Sequence, residues 1–396
     1  FHVLTSHPPA PFLTHRESQA LYPHEYTGPP FDWPPYREVR EDSQPVEHIR
    51  YLYASLVSFC DQQLGRVLDV FDRYNLWEDT LLLVNTDHGF LMGEHDWWAK
   101  VVAPFFQEVA HIPFWAYDPR APHQVNQSRQ SLAQTIDLAP TILDFFDIPI
   151  PKDMQGKPLS DAMASDRSPR LASLYGVMGG QVNVTDGRYV YMRGNVTEDN
   201  GPLFEYTLMP THMRSRFAPA ELQEWERWDG FTFLKGCKVM RIPARTPGVF
   251  LSNKTPQGLG RQATLLFDLN TDPSQLKPLR SLEVEARMIE MMLSEMVRNE
   301  CPSEQYQRLG LPEPLRINAG MPNEKIQMPS AAAIQAACVL GTKLEEEATA
   351  NVGGGWPKMP FHGTGALTDA ELSPELFPDN LRLLPQYQLG ADDDAN

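Results

Sequence analysis

Between residues 46 and 85 a long amphipathic period runs straight into a short apolar run, and this pairing restricts the possible folds more than any other feature. Ile49, Leu52, Tyr53, Leu56, Cys60, Leu64, Val67, Leu68 and Phe71 recur at helical spacing, with Asp61, Gln62, Arg66 and Asp69 between them. Thr80-Leu81-Leu82-Leu83-Val84-Asn85 follows and reads as a buried parallel strand. A helix feeding such a strand is half of a βαβ unit, so the fold class is α/β.

The rest of the chain divides around that unit. His111–Pro119 reads as a strand ending in a turn, and Thr135–Phe146 as a helix that is kinked at Pro140 or regular only from there. From about residue 170 the character changes. Leu171–Val177, Tyr189–Arg193 and Leu265–Leu269 are short strands, and a helix follows at about 281–299 with Leu282, Ala286, Ile289, Leu293 and Met296 on one face. The expected organisation is part of an α/β lobe over 1–165, a smaller antiparallel-sheet-plus-helix lobe over 166–315, and a partly ordered tail over 316–396 with a helix near 330–348.

Composition removes several function classes. The charge is −17, from 34 basic and 51 acidic residues, opposite in sign to a chain that lives on phosphate contacts, so no nucleic-acid partner is expected. No run of 18 apolar residues occurs, so no membrane span is expected. Four cysteines without a CxxC spacing make no disulfide framework. Proline is abundant, 36 of 396 residues, and crowds with aromatics in residues 7–45, as in Phe31-Asp32-Trp33-Pro34-Pro35-Tyr36. That composition predicts an irregular segment whose rings shape a pocket or simply pack.

The chemistry concentrates in Asn85-Thr86-Asp87-His88-Gly89, where the apolar strand ends. In open α/β sheets ligands bind beyond the carboxyl ends of strands, so these side chains project towards a site. A carboxylate beside an imidazole, with Gly89 allowing a tight turn, makes half of a divalent-cation site or only a turn. Glu94, His95 and Lys100 follow, and a metal beside a lysine is equipment for a tetrahedral oxyanion ester, whereas the same residues also suit a solvated loop.

The segment TDHGFLMGEHDWWAK resembles the C-terminal half-motif of the sulfatase family, in the alkaline phosphatase superfamily. PFFQEVAHIPFWAYDPR resembles the family's Pro–aromatic–Glu region and its next strand. TIDLAPTILDFFDIPIP with MQGKPL, and LFDLNTDPSQLKPL, follow in the family's order across residues 80–280. The resemblance implies an alkaline-phosphatase-like central sheet, incomplete here, flanked by helices and joined to a smaller C-terminal α+β lobe. It implies Asp87 and His88 as two ligands of a cation, usually Ca²⁺, or Mn²⁺ or Zn²⁺ in phosphonate- or phosphodiester-cleaving relatives. It implies Lys100 as a contact to the sulfate group or the leaving oxygen, with His95 shaping the site more than acting in it.

Two departures from the family pattern bear on activity. No Cys/Ser-x-Pro-x-Arg nucleophile motif occurs in the chain, and the paired aspartates that complete the cation site are absent. With an apolar start at Phe1-His2-Val3-Leu4, these are expected to precede Phe1 in a longer protein, and turnover by the 396 residues alone is not expected. The family's Pro-His-x-Pro motif reads Pro8-Pro9-Ala10-Pro11, so His7 substitutes through a loop shift or that acid/base function is lost. The implied activity is hydrolysis of a sulfate ester, of a small molecule or a glycan. The rivals are phosphonate or phosphodiester hydrolysis in the same superfamily and a non-catalytic glycan-binding remnant.

Overall fold

The computed structural model describes Phe12 and residues 15–100, 104–209, 211–212, 216–217, 219–244, 262–317 and 325–351. His7, the Pro8–Pro11 run and the expected opening strand lie outside these residues, as does the tail beyond 351. The architecture is mixed α/β, with small sheets and covering helices.

The amphipathic period forms one helix, Ser43–Tyr74, closed by Asn75 in the left-handed conformation. It leads through a single turn into the strand Leu82–Asn85 as expected. The direction of pairing differs from the sequence reading. Leu82–Asn85 pairs antiparallel with Phe114–Tyr117, Leu82 opposite Tyr117 and Asn85 opposite Phe114, and its residues are half-buried or exposed. An apolar run specifies burial and leaves strand direction open; here the chain reverses through the intervening hairpin and turn and returns alongside.

The Pro140 ambiguity resolves simply. A 3₁₀ turn over Thr135–Asp137 precedes the helix Leu138–Phe145, which places Pro140 in the first helical turn, where a missing N–H breaks no bond. Buried Asp137 secures this corner by accepting from the backbone N–H groups of Gln134 and Lys157 and from Arg170.

Residues 173–268 contribute a four-stranded antiparallel sheet in the order Leu265–Asp268, Tyr189–Arg193, Val182–Thr185, Ser173–Gly176. Alternation gives its two faces different partners. Val184, Tyr191 and Leu266 face the helix Leu282–Arg298, whose Met288, Ile289, Met292, Leu293 and Met296 are buried. Leu282, expected on that face, is exposed at the helix start, where Ser281 caps by accepting from Val284 N–H. The helix Ala331–Asn351 joins the same core through Ile334, Ala337 and Cys338. The opposite face presents Val190, Met192, Leu265 and Phe267 to Phe106. A separate three-stranded sheet, Phe204–Thr207, Val239–Pro243 and Glu226–Trp228, was not foreseen from sequence.

Arg193 ties the helix Ala331–Asn351 and the segment at residues 309–310 to the sheet. Fully buried, it donates to the carbonyls of Leu309, Gly310 and Ala337 and to the Tyr191 hydroxyl. Its truncation leaves two buried carbonyls and one half-buried carbonyl short of a donor. Arg193→Ala is expected to lower unfolding free energy by about 3 kcal/mol, read from urea denaturation followed by far-UV circular dichroism. A loss below about 1 kcal/mol contradicts that role.

Candidate active site

The strand Leu82–Asn85 delivers Asp87 and His88 two and three residues beyond its end, and Gly89 then makes the close approach that holds them. A Cβ built on Gly89 falls 1.8 Å from the Glu108 carbonyl oxygen, and Gly89 N–H donates to the Val109 carbonyl at 2.9 Å. Glycine is required here by contact with another backbone rather than by a left-handed turn.

The His88 ring is oriented by its own neighbour. Its Nδ1 lies 2.9 Å from the Gly89 carbonyl, which can only accept, so Nδ1 carries a proton, while Nε2 faces the Lys100 ammonium, which can only donate, and so presents its lone pair. That Nε2 is 3.2 Å from Asp87 Oδ2. Two electron-pair donors so close need a cation between or beside them, and the ammonium group of Lys100 donates to Nε2 here. Asp87 Oδ1 accepts from His88 N–H at 2.9 Å, while the rest of its carboxylate stands in solvent, 81% exposed. The structure thus brings Asp87, His88 and Lys100 to one point.

Lys100 arrives there at the end of a tight hairpin. Leu91–Met92 pairs with Trp98–Ala99, and left-handed backbone occurs at Gly93, His95 and Asp96 in the connecting turn and at Ala99 in the second strand. Arg50 of the long helix donates to the Met92 carbonyl at 2.8 Å and reaches Glu94 at 3.4 Å, while Glu94 accepts from Met92 N–H at 2.5 Å. Trp98 Nε1 donates to Glu41 at 2.8 Å. Ile49, Met92, Trp98 and Ala99 are buried together with Phe12, and Phe31, Trp33 and Tyr36 pack around them. Trp97 and Trp98 are both buried.

His95 stands apart from the Asp87–His88–Lys100 group. Its ring stacks on Phe106 at 3.7 Å between centroids, and its Nε2 meets Glu108 Oε2 at 3.2 Å. It braces the hairpin against the next turn. Burial alone would raise the Glu108 carboxyl, but the hydrogen bonds from His95 and from its own backbone N–H outweigh it and hold the group below its ordinary value of 4.5. Glu108 lies in the stretch that resembles the family's Pro–aromatic–Glu region, but its partner His95 is 13 residues away, and no spacing rule reveals the pair.

Asp87 and His88 fit a divalent cation as two of its ligands: a carboxylate and an imidazole whose second nitrogen is fixed by a carbonyl form a standard donor pair. Among the described residues no group of three or more His, Cys, Asp or Glu side chains is placed to hold a metal.

Two outcomes follow from this geometry. Gly89→Ala is expected to cost about 2 kcal/mol or more of stability in chemical denaturation, because the Glu108 backbone must move. Glu108, with its lowered folded-state value, contributes stability above the ordinary carboxylate range and loses it as pH falls through the folded value. Urea midpoints should therefore fall on acidification less steeply in Glu108→Gln than in the wild type.

Comparison with known proteins places this site in context. Residues 1–148 match the sulfatase family model, which bears out the resemblance over that stretch. An arylsulfatase of Clostridium perfringens is 29% identical over 125 residues, covering 31% of this chain and 26% of the relative. An N-acetylglucosamine-6-O-sulfatase of Bacteroides thetaiotaomicron is 27% identical over 114 residues, 29% of this chain and 20% of the relative. The multifunctional alkaline phosphatase superfamily protein PehA of Trinickia caryophylli is 28% identical over 126 residues, 32% of this chain and 24% of the relative. The matched stretches thus span about a quarter or less of these relatives' own lengths.

Proposed function

We propose that this chain serves a sulfuric ester hydrolase whose substrate is a sulfated glycan. The observation that carries the reading is the convergence of Asp87 Oδ2, His88 Nε2 and the Lys100 ammonium at the end of one strand, inside the stretch that matches the sulfatase family. The glycan preference draws on the relative named for N-acetylglucosamine 6-O-sulfate.

Each residue has a distinct task. Asp87 and His88 would hold a divalent cation, Ca²⁺ on the family resemblance. The imidazole nitrogen suits Mn²⁺ or Zn²⁺ as well. When bound, that cation supplies Lewis-acid polarisation of the ester oxygens. Lys100 places a positive charge where negative charge develops on the sulfate or the departing oxygen, and a donor already in position stabilises that charge without reorganisation. The His88 bond to the Gly89 carbonyl fixes the ring orientation that turns Nε2 towards Asp87 and Lys100, as a ligand position requires.

A second reading, hydrolysis of a phosphonate or phosphodiester, is favoured by the likeness to PehA, a multifunctional member of the superfamily. The test uses the native protein together with any segment that precedes Phe1, and compares it on N-acetylglucosamine 6-sulfate, on 4-nitrophenyl sulfate and on a 4-nitrophenyl phosphonate ester. Sulfate release should dominate, stop on chelation of divalent cations, and fall about 100- to 1,000-fold in kcat/KM in Lys100→Ala. Preferred cleavage of the phosphonate supports the second reading. Binding of the sulfated sugar without release of either anion marks a non-catalytic relative.

A further inference from the structure

The turn between Pro104 and His111 contributes no group to the Asp87–His88–Lys100 cluster, yet it touches both segments that carry it. Its Glu108 carbonyl fills the space where a side chain at residue 89 would stand, and its Val109 carbonyl accepts Gly89 N–H. The Glu108 carboxylate holds His95 at 3.2 Å, and the Phe106 ring supports the same imidazole face-on. On its other side, Gln107 N–H donates to Gln275 Oε1 at 2.7 Å, and Phe106 meets Phe267 edge-on at 6.3 Å. One short turn therefore joins the four-stranded sheet to both segments.

We propose that Glu108 is a positioning residue, which sets where the Asp87–His88 segment and the Lys100 hairpin stand relative to each other. Two different parts of the residue do this. The backbone carbonyl fixes the height of Gly89, and so of Asp87 and His88. The carboxylate fixes His95, in the left-handed turn through which the chain passes on its way to Lys100. Both segments are thereby referenced to a single residue that is itself half-buried and anchored from behind. Small displacements of positioned groups cost turnover more than binding. The consequence for turnover rests on the sulfuric ester hydrolase reading, while the geometric coupling does not.

The substitutions separate the two contacts. Glu108→Ala removes the carboxylate and leaves the backbone in place, whereas Glu108→Gln keeps an acceptor oxygen for His95. Hydrogen exchange of the native protein reads the first arm. In Glu108→Ala, peptides spanning 86–99 should exchange about tenfold faster or more, while those spanning 282–298 stay unchanged; Glu108→Gln should return to within about threefold of the wild type. Sulfate release reads the second arm: kcat falls about tenfold in Glu108→Ala at nearly constant KM and recovers in Glu108→Gln. Unchanged exchange over 86–99 overturns the proposal, as does faster exchange that extends to 282–298. Local loosening with kcat unchanged overturns it too. A wild-type protein that releases no sulfate defeats the functional reading instead, and the exchange arm still decides the positioning.

Discussion

The close approach of Gly89 to the Glu108 backbone is the contact on which the rest of the site depends. A carbonyl oxygen stands within 1.8 Å of where a Cβ would be, so a side chain at this position would drive the two segments apart. With glycine there, the Gly89 N–H bonds to Val109, and the two residues before it emerge from the strand at a fixed height. Everything chemical about the region follows from that height. His88 can turn back onto the Gly89 carbonyl, Asp87 can bring one oxygen beside it, and the hairpin can bring Lys100 to meet both.

Electrostatics explains why the three belong together. A carboxylate oxygen and a bare imidazole nitrogen at 3.2 Å repel unless positive charge lies near. The Lys100 ammonium provides it, and a divalent cation provides it more strongly because it accepts both electron pairs at once. The surrounding structure keeps this arrangement from collapsing. The hairpin is clamped on one side by Arg50 and Glu41 and on the other by Phe106 and Glu108. Its aromatic floor of Phe31, Trp33, Tyr36 and Phe90 packs around buried Trp98 and leaves the rings occupied.

Much of this was legible in the residues. The helix over Ser43–Tyr74, the strands Tyr189–Arg193 and Leu265–Asp268 and the helix Leu282–Arg298 each carry a clean period, and each forms within a few residues of where that period lies. Asp87, His88 and Lys100 were legible as a group because a motif joins them. The antiparallel direction of Leu82–Asn85 was hidden, since hydrophobicity reports burial and carries no arrow. The sheet built from Phe204–Thr207, Glu226–Trp228 and Val239–Pro243 was hidden because its strands are only three to five residues long, and the apolar Val239–Pro243 pairs with two segments that carry charged residues and no apolar run. Glu108 was hidden for a third reason: its importance lies in contacts to residues 13 and 19 positions away, which only the folded chain brings within reach.

The central claim is that Asp87 Oδ2 and His88 Nε2 define one cation-accepting point beside Lys100. Anomalous diffraction from crystals soaked in millimolar Mn²⁺, an ion that accepts both carboxylate and imidazole, tests it most directly. The account predicts an anomalous peak within coordination distance of both atoms, with the Lys100 ammonium displaced from His88 and the peak lost in Asp87→Ala. Mn²⁺ bound elsewhere, or absent while Lys100 keeps its contact with His88, would contradict it.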